Sequence, residues 1–510
     1  NVPSGMEALL LADMARAGTS VAYVMSDGQR VADLEQILGF VAPDIPVMTL
    51  PAWDCLPYDR VSPSADTSAR RLAALSGLIA HAKKPHPAIV LVTVNAMLQK
   101  MAPRDIIGSL GFSAKPGNQI RMEEIAARLE RNGFDRVATV REVGEFAVRG
   151  GILDVFVPGT EEPVRLDFFG DTLESIRTFD PASQRTIAQA RSLDLNPMSE
   201  VTLTPDTIGP FRKNYLSLFG AATRDDALYQ AVSEGRRYAG MEHWLPLFYE
   251  KLETAFDYLE GFRIVTDHTA REAAKERSKL VLDYYEARRA SGETKGSTQG
   301  APYKPVSPGQ LYLDGKSFDA LLAGVNAVRL TPFNEHDSEG HPVATLDAHV
   351  GPRWARPPTE GESEERVNVF DLAVKHIADR RAKGWKVLIT GWSEGSLDRL
   401  LQVLNEHGLE NIKPVTSLKE VEKLGKGEAA ATVLSLEAGF ETGTLAVIGE
   451  QDILGDRMVR RSKRRKRGAD FISEVAGLGE GSRLVQAEHR HRPFVARHAT
   501  SAAASPLAFS

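Results

Sequence analysis

The sequence predicts a multi-domain α/β protein, on three observations. The chain has 510 residues, more than one hydrophobic core supports; at roughly 100–200 residues per domain, three or four domains are expected. Apolar residues make up 42% and charged residues 25%, ordinary proportions for packed domains. Apolar strand-like runs alternate with helix-period segments near the start of the chain and again after residue 367, the pattern of parallel sheets with crossover helices.

The elements follow in order. Residues 7–17 read as a helix and 20–25 as a strand. Residues 28–41 carry Val31, Leu34, Leu38 and Val41 at helical spacing, and 47–50 and 89–93 are apolar strands. Together they make residues 1–111 the first part of a parallel-sheet domain. The pattern changes over 112–196. An amphipathic helix at 122–132 is closed by Gly133. Strand runs at 152–157, 164–169 and 173–179 follow, separated by Pro-Gly and Gly-Asp turns. This is a small inserted α+β domain with an antiparallel sheet. Residues 197–345 return to helix-rich text with one strand at 262–266, a long helix at 271–290 and a polar loop at 291–308. Residues 346–366, with Pro357-Pro358 and several glutamates, read as a mobile linker. A further small α/β domain is expected over 367–452, with helices at 367–383 and 396–407 and strands at 386–390, 432–436 and 444–448.

Composition excludes several functions. A net charge of −6 argues against a globally basic nucleic-acid binder. The single cysteine, Cys55, rules out an internal disulfide or a thiolate zinc cluster and fits the cytoplasm. The longest apolar runs, such as 88–94, fall far short of the roughly 20 residues that span a bilayer, and no leader precedes the first helix. The chain opens on Asn1 rather than Met, as a piece of a longer protein would. His489, His491 and His498 are scattered in a polar tail, so no metal site is assigned. The Lys/Arg run 460–467 lacks interleaved aromatics and reads as a solvated linker, with a DNA contact as its alternative.

An ATP-hydrolysing sheet needs G-x-x-x-x-G-K-[ST] where its phosphate loop enters a helix. The loop before the first helix instead carries Ser4, Gly5, Met6, Glu7 and Ala8, with acidic Glu7 near the position of the lysine. Gly315-Lys316-Ser317 does not replace it, because Gln310 stands where the first glycine belongs; it is expected in a turn. Asp267 ends a strand alone, where an Asp-Glu pair would hold magnesium, and reads as a helix cap. No catalytic residue and no cofactor are expected.

The segment Pro51-Ala52-Trp53-Asp54-Cys55-Leu56-Pro57-Tyr58-Asp59-Arg60 reads as a rigid loop around a buried Trp. Cys55 has no histidine near it in sequence, which argues against a catalytic thiol. In 164–169, alternation puts Val164, Leu166 and Phe168 on one face and Arg165, Asp167 and Phe169 on the other. If the first set enters the core, Arg165 and Phe169 stand on the open face as an Arg–aromatic hot-spot pair. On the residues alone, Phe169 packed beneath a helix is the equal alternative.

These segments resemble the N-terminal part of the bacterial transcription-repair coupling factor family (Mfd). The resemblance runs from Asn1 to about His489. It is strongest at 51–62, at Thr93-Val94-Asn95-Ala96 with Gln99, at 144–169, at Phe179-Asp180 with Ser183-Gln184-Arg185-Thr186, and at Ile453-Leu454-Gly455-Asp456-Arg457. It implies a degenerate, RecA-like helicase domain similar to the damage-loading subunit UvrB, interrupted by a UvrA-binding domain. Family contact positions carry over as Arg149, Arg165 and Phe169. The damage-probing hairpin of UvrB is expected to be absent, because only a short link joins Tyr58 to the helix around Arg70. The full-length family is an ATP-dependent DNA translocase that also binds RNA polymerase, through regions beyond this chain apart from the start of one in 453–489.

The resemblance implies a non-catalytic scaffold that recruits UvrA. Two alternatives remain: a helicase fragment whose phosphate loop lies upstream of Asn1, and a DNA-binding protein using 460–467. The family reads His-Gly-Ile-Gly-Arg where this chain has His489-Arg490-His491-Arg492-Pro493. One extra cytosine before those codons gives that change, so residues 490–510 are expected to be a frameshifted tail.

Overall fold

A computed structural model describes residues 2–26, 28–195, 197–222, 226–293, 303–334, 343–354, 368–425 and 427–455, and the backbone of 483–485 and 491–493. The described residues from 2 to 455 form one compact unit. Outside it, Arg483–Val485 pairs antiparallel with His491–Pro493. The expectations for 355–367, the basic run 460–467, His489, His498 and most of 490–510 lie outside the described residues.

The first sheet has five parallel strands, in the order Val328–Arg329, Arg263–Thr266, Val21–Met25, Ile89–Thr93 and Val47–Leu50. Parity divides its side chains between two cores. Ala22, Val24, Val90, Val92 and Ile264 face a helix-rich core that includes Leu72, Leu75, Phe211, Trp244 and Phe318. Val21, Tyr23, Met25, Ile89, Leu91 and Val265 face the helices Glu7–Arg16 and Gln29–Val41. The Ala65–Lys83 helix starts at Ser64, whose hydroxyl accepts from the Thr67 N–H. No strand is formed between Trp53 and Ser64, so that link holds no hairpin.

The insert is built on a second sheet. Its order is Thr186–Gln189, Thr172–Phe179, Val164–Phe169, Ile152–Val155, Glu145–Arg149 and Asp135–Arg136, antiparallel except for the last pair. Phe112–Ala114 and Leu193–Leu195 pair antiparallel and close the insert where it leaves and rejoins the first domain. Helix Met122–Arg131 lays Ile125 and Leu129 on Leu153, Val155, Val164, Leu166, Leu173 and Ile176. A register shift opposite Asp167 and Phe168 lets Leu173 and Ile176, three apart, both face inward.

Two expected elements are corrected. Gly315, Lys316 and Ser317 form the first turn of the Gly315–Gly324 helix, not a turn; the Asp314 carboxylate accepts from the Ser317 N–H at 2.7 Å. Ala348–Val350, inside the expected linker, is an edge strand paired with Phe440–Thr442. It belongs to a third, mixed sheet completed by Leu445–Gly449, Lys386–Gly391, Ala429–Val433 and Ile412–Pro414. This sheet packs onto the first domain: Leu388, Val415, Leu436 and Phe440 share one core with Val2, Ala8, Leu11 and Val31.

Candidate functional site

The residues singled out at 149–169 meet on one face of the second sheet. Gly150 and Gly151 form a two-residue hairpin turn, with Arg149 paired to Ile152 and Gly150 at a φ of 58°. No bulge intervenes, so Arg149 lies on the same face as Ala147 and Asp154, opposite the helix-covered core. Gly151 lies so close to the next strand that a Cβ would sit 2.9 Å from the Phe168 carbonyl oxygen. Phe169 stands on this face with 77% of its surface exposed. Phe168 points the other way and packs, half-buried, against the domain core.

Charge on this face is arranged around Asp154, a fully buried carboxylate on the Ile152–Val155 strand. Arg165 is its direct cross-strand neighbour. The Arg165 Nε and Nη2 donate to the two Asp154 oxygens at 2.7 and 2.9 Å, and Nη1 to the Gln184 carbonyl at 3.4 Å. Its guanidinium lies over the Phe179 ring, 4.7 Å from the centroid. Hydrogen bonding to Asp154 holds the Arg165 pKa above its ordinary value. The expectation of an open Arg165 is therefore corrected: its side chain is only 17% exposed, because the strand beside it supplies a carboxylate. Arg149 touches the same Asp154 through one contact of 3.3 Å and is 51% exposed. Arg177, opposite Arg165 on the next strand, donates to Asp167 through Nε and Nη2 at 3.0 and 2.6 Å. Residue alternation finds Arg165 and Phe169 but not Asp154 or Arg177, whose roles depend on strand register.

The loop at the start of the chain is filled from within. The Gly5 N–H donates to Glu7 Oε2 at 2.6 Å, and Arg30 donates to Glu7 Oε1 at 2.8 Å. Gly5 packs against Leu436 and Phe440 of the third sheet. Ser4 and Met6 complete the turn, and Ala8 is buried in the first helix. Asp267 accepts from the Ser26 N–H and hydroxyl and from the Thr269 N–H and hydroxyl, so its oxygens hold local backbone. Among the described residues, no group of three or more His, Cys, Asp or Glu is placed to hold a metal.

Cys55 does have a histidine neighbour in space. His243, 188 residues along the chain, brings Nε2 to 3.9 Å from its Sγ. Burial pushes the thiol up to about 12 and His243 down to about 4. Neither group is charged near neutrality, so the pair lacks a thiolate nucleophile. The Trp53 indole donates to Glu200, which also pairs with the fully buried Arg71 at 2.6 Å. Tyr58, at a φ of 58°, is held through its carbonyl by Arg288. The Pro-bounded loop is a structural junction.

The antiparallel insert coincides with a match to a family model described as the UvrB interaction domain, over residues 112–200. Over nearly its whole length the chain is similar to transcription-repair-coupling factors. That of Haemophilus influenzae is 29% identical over 501 residues, 96% of this chain and 41% of that protein. That of Escherichia coli is 28% identical over 492 residues, 94% of this chain and 40% of that protein. A shorter match of 192 residues, at 37% identity, links it to the Mycobacterium bovis factor. The resemblance to the N-terminal region of this family is thereby shown, and the chain spans about 40% of the length of the first two relatives. Among the described residues no helix is long and apolar enough to cross a membrane.

Proposed function

We propose that this chain is a recruiting scaffold of transcription-coupled nucleotide excision repair, and that its inserted domain docks UvrA. The observation that carries the reading is Phe169, a large aromatic 77% exposed on the sheet face that also carries Arg149, Arg165 and Arg177, opposite the face packed by the Met122–Arg131 helix. Such a residue anchors an interface by filling an apolar pocket on the partner. The match to a UvrB interaction domain supports UvrA as that partner. The relatives' name, transcription-repair-coupling factor, supports a setting that joins repair to transcription, in which RNA polymerase and DNA would be further partners.

In this reading the chain hydrolyses no ATP. Glu7 takes up the loop amide and Arg30, groups that a phosphate would otherwise attract. The test is calorimetric titration of the 510-residue chain with UvrA, alongside Phe169→Ala. Binding by the native chain that falls roughly thirtyfold in the variant, at unchanged thermal midpoint, supports the reading. No binding, or equal binding by both, overturns it.

A further inference from the structure

We propose that residues 348–354 are a removable strap on the third sheet, and that Asp452 passes the opening of this strap to the helical turn by which the chain leaves that sheet. The proposal is independent of the docking reading, since none of these residues belongs to the inserted domain.

The strap can leave without stranding a charge. Its strand, Ala348–Val350, lies at the sheet edge on Phe440–Thr442, which stays paired with Leu445–Gly449 on its other side. His349, Val350 and Arg353 are all exposed. Opposite His349 stands Glu441, a fully buried carboxylate. The His349 ring donates from Nε2 to Glu441 Oε2 at 3.1 Å. The same carboxylate accepts from His376 Nε2 at 2.6 Å and from Arg380 Nε and Nη2 at 2.9 and 2.6 Å, both on the Val369–Ala382 helix. Burial alone would raise the Glu441 carboxyl, but the bonds from Arg380 and His376 bring it below its ordinary value. When the strap lifts, Glu441 loses the His349 bond and keeps its guanidinium partner, so no buried charge is left unpaired.

The far end of the strap lies on the exit turn. The Gly351 N–H donates to the Gly439 carbonyl at 2.9 Å, and the Trp354 N–H to the Asp452 carbonyl at 2.8 Å. Asp452 belongs to the Glu450–Leu454 helix, after which Gly455 leads out of the sheet. Its Oδ2 accepts from the Gly439 and Gly449 N–H groups at 2.8 and 2.7 Å. Its Oδ1 is buried, has no hydrogen bond among the described residues, and stands 3.9 Å from Arg353 Nε. Burial pushes the Asp452 carboxyl up, and Arg353 is the cation that the strap brings to it. Lifting the strap removes both the Trp354 bond and the Arg353 charge, and leaves the turn held by two backbone amides at Asp452. A pull or a binding event at one chain connection of this domain therefore reaches the other through Asp452.

The test is hydrogen exchange of the full 510-residue chain, read by mass spectrometry on peptides covering 346–354, 386–391 and 450–455. In the native chain the strap and the exit turn should share one opening, faster than exchange in Lys386–Gly391. His349→Ala leaves Glu441 its bonds from His376 and Arg380. It should speed exchange of the strap and of the turn together by about tenfold, with Lys386–Gly391 and the thermal midpoint unchanged. Arg353→Gln should do the same from the other end. Faster exchange in the strap alone removes Asp452 as the relay and overturns the inference. So does unchanged strap exchange in His349→Ala. Exchange that rises in Lys386–Gly391 in step with the strap, or native protection equal in the two, shows a permanent strand and overturns it as well. If His349→Ala fails to fold, the native chain and Arg353→Gln decide by the same readings.

Discussion

Phe168 packs against the core of the inserted domain and Phe169 stands on the opposite face. Phe168→Ala should therefore lower the thermal midpoint. Its cost should be somewhat below the ~3–5 kcal/mol of a fully buried phenylalanine, because the ring is only half-buried. Phe169→Ala should spare the midpoint and weaken UvrA binding roughly thirtyfold; the reverse pattern would mean that the two faces are exchanged. His243 makes a separate prediction. Burial lowers its pKa from 6.5 to about 4, so the unfolded chain takes up a proton that the folded chain refuses. Stability is complete above about pH 6.5 and declines as pH falls toward 4, by up to about 3 kcal/mol. Urea midpoints of the native chain and His243→Gln should diverge at pH 7 and approach one another as pH drops toward 4.5. Parallel curves would show that His243 is not the titrating group. The opposite faces of Phe168 and Phe169 follow from a two-residue period, which sequence carries. The Cys55–His243 contact does not, because it joins loops far apart in the chain and depends on how helices pack.

At the scale of elements, legibility follows the same division. The strands Val47–Leu50, Ile89–Thr93 and Val164–Phe169 begin and end where β-branched and aromatic runs place them. The strand expected at 432–436 instead runs Ala429–Val433. Ala429, Ala430 and Ala431 have no strand propensity of their own; they fit because parallel strands pair with them on both sides, the buried Lys386–Gly391 and the edge strand Ile412–Pro414. The commitment of Arg165 was hidden for a related reason. Alternation assigns a side chain to a face, but only register says which residue stands across from it, and here that residue is a buried aspartate. The Gly150-Gly151 turn sets the register on which this pairing depends. Gly151→Ala puts a methyl 2.9 Å from the Phe168 carbonyl, a backbone atom that cannot rotate away. Overpacking of this kind costs about 1–3 kcal/mol. The variant should melt earlier and bind UvrA more weakly, since the shift passes to Arg149 on one side and Phe169 on the other. A variant with native midpoint and native affinity would show that the strands have room to separate. The loop at the start of the chain makes the complementary case. Its lack of a Gly-Lys-Thr sequence is visible by inspection, but the carboxylate that fills it is visible only in three dimensions. Purified chain should show ATP turnover no higher than a buffer blank. Turnover that disappears on changing Ser4, Gly5 or Glu7 would contradict the filled-loop account.

Across the whole molecule, the distribution of cores says which pieces can part. The inserted domain owns most of its core, and its ends are closed by the pairing of Phe112–Ala114 with Leu193–Leu195. The third sheet is different. Composition around 346–366 suggests that protease should release a free C-terminal domain there. Yet Leu388, Val415, Val421, Leu424, Leu434, Leu436 and Phe440 pack in one cluster with Ala8, Leu11, Leu34 and Leu38 of the first domain. Separating the pieces would expose both sides of that cluster, at ~25 cal/mol for each Å² of apolar surface returned to water. A cut in the peptide between them leaves this contact in place, because a linker contributes effective concentration and not the interface itself. Limited proteolysis should therefore nick the chain between Trp354 and Asn368 and still give one peak on gel filtration under native conditions. The two fragments should separate only in denaturant. Leu436→Asp, which sets a charge against Gly5 in the filled loop, should let them part after the nick without denaturant, because a buried charge there has no partner. A nicked native chain that already elutes as two peaks would show that the shared core is too weak to hold the third sheet against the first domain.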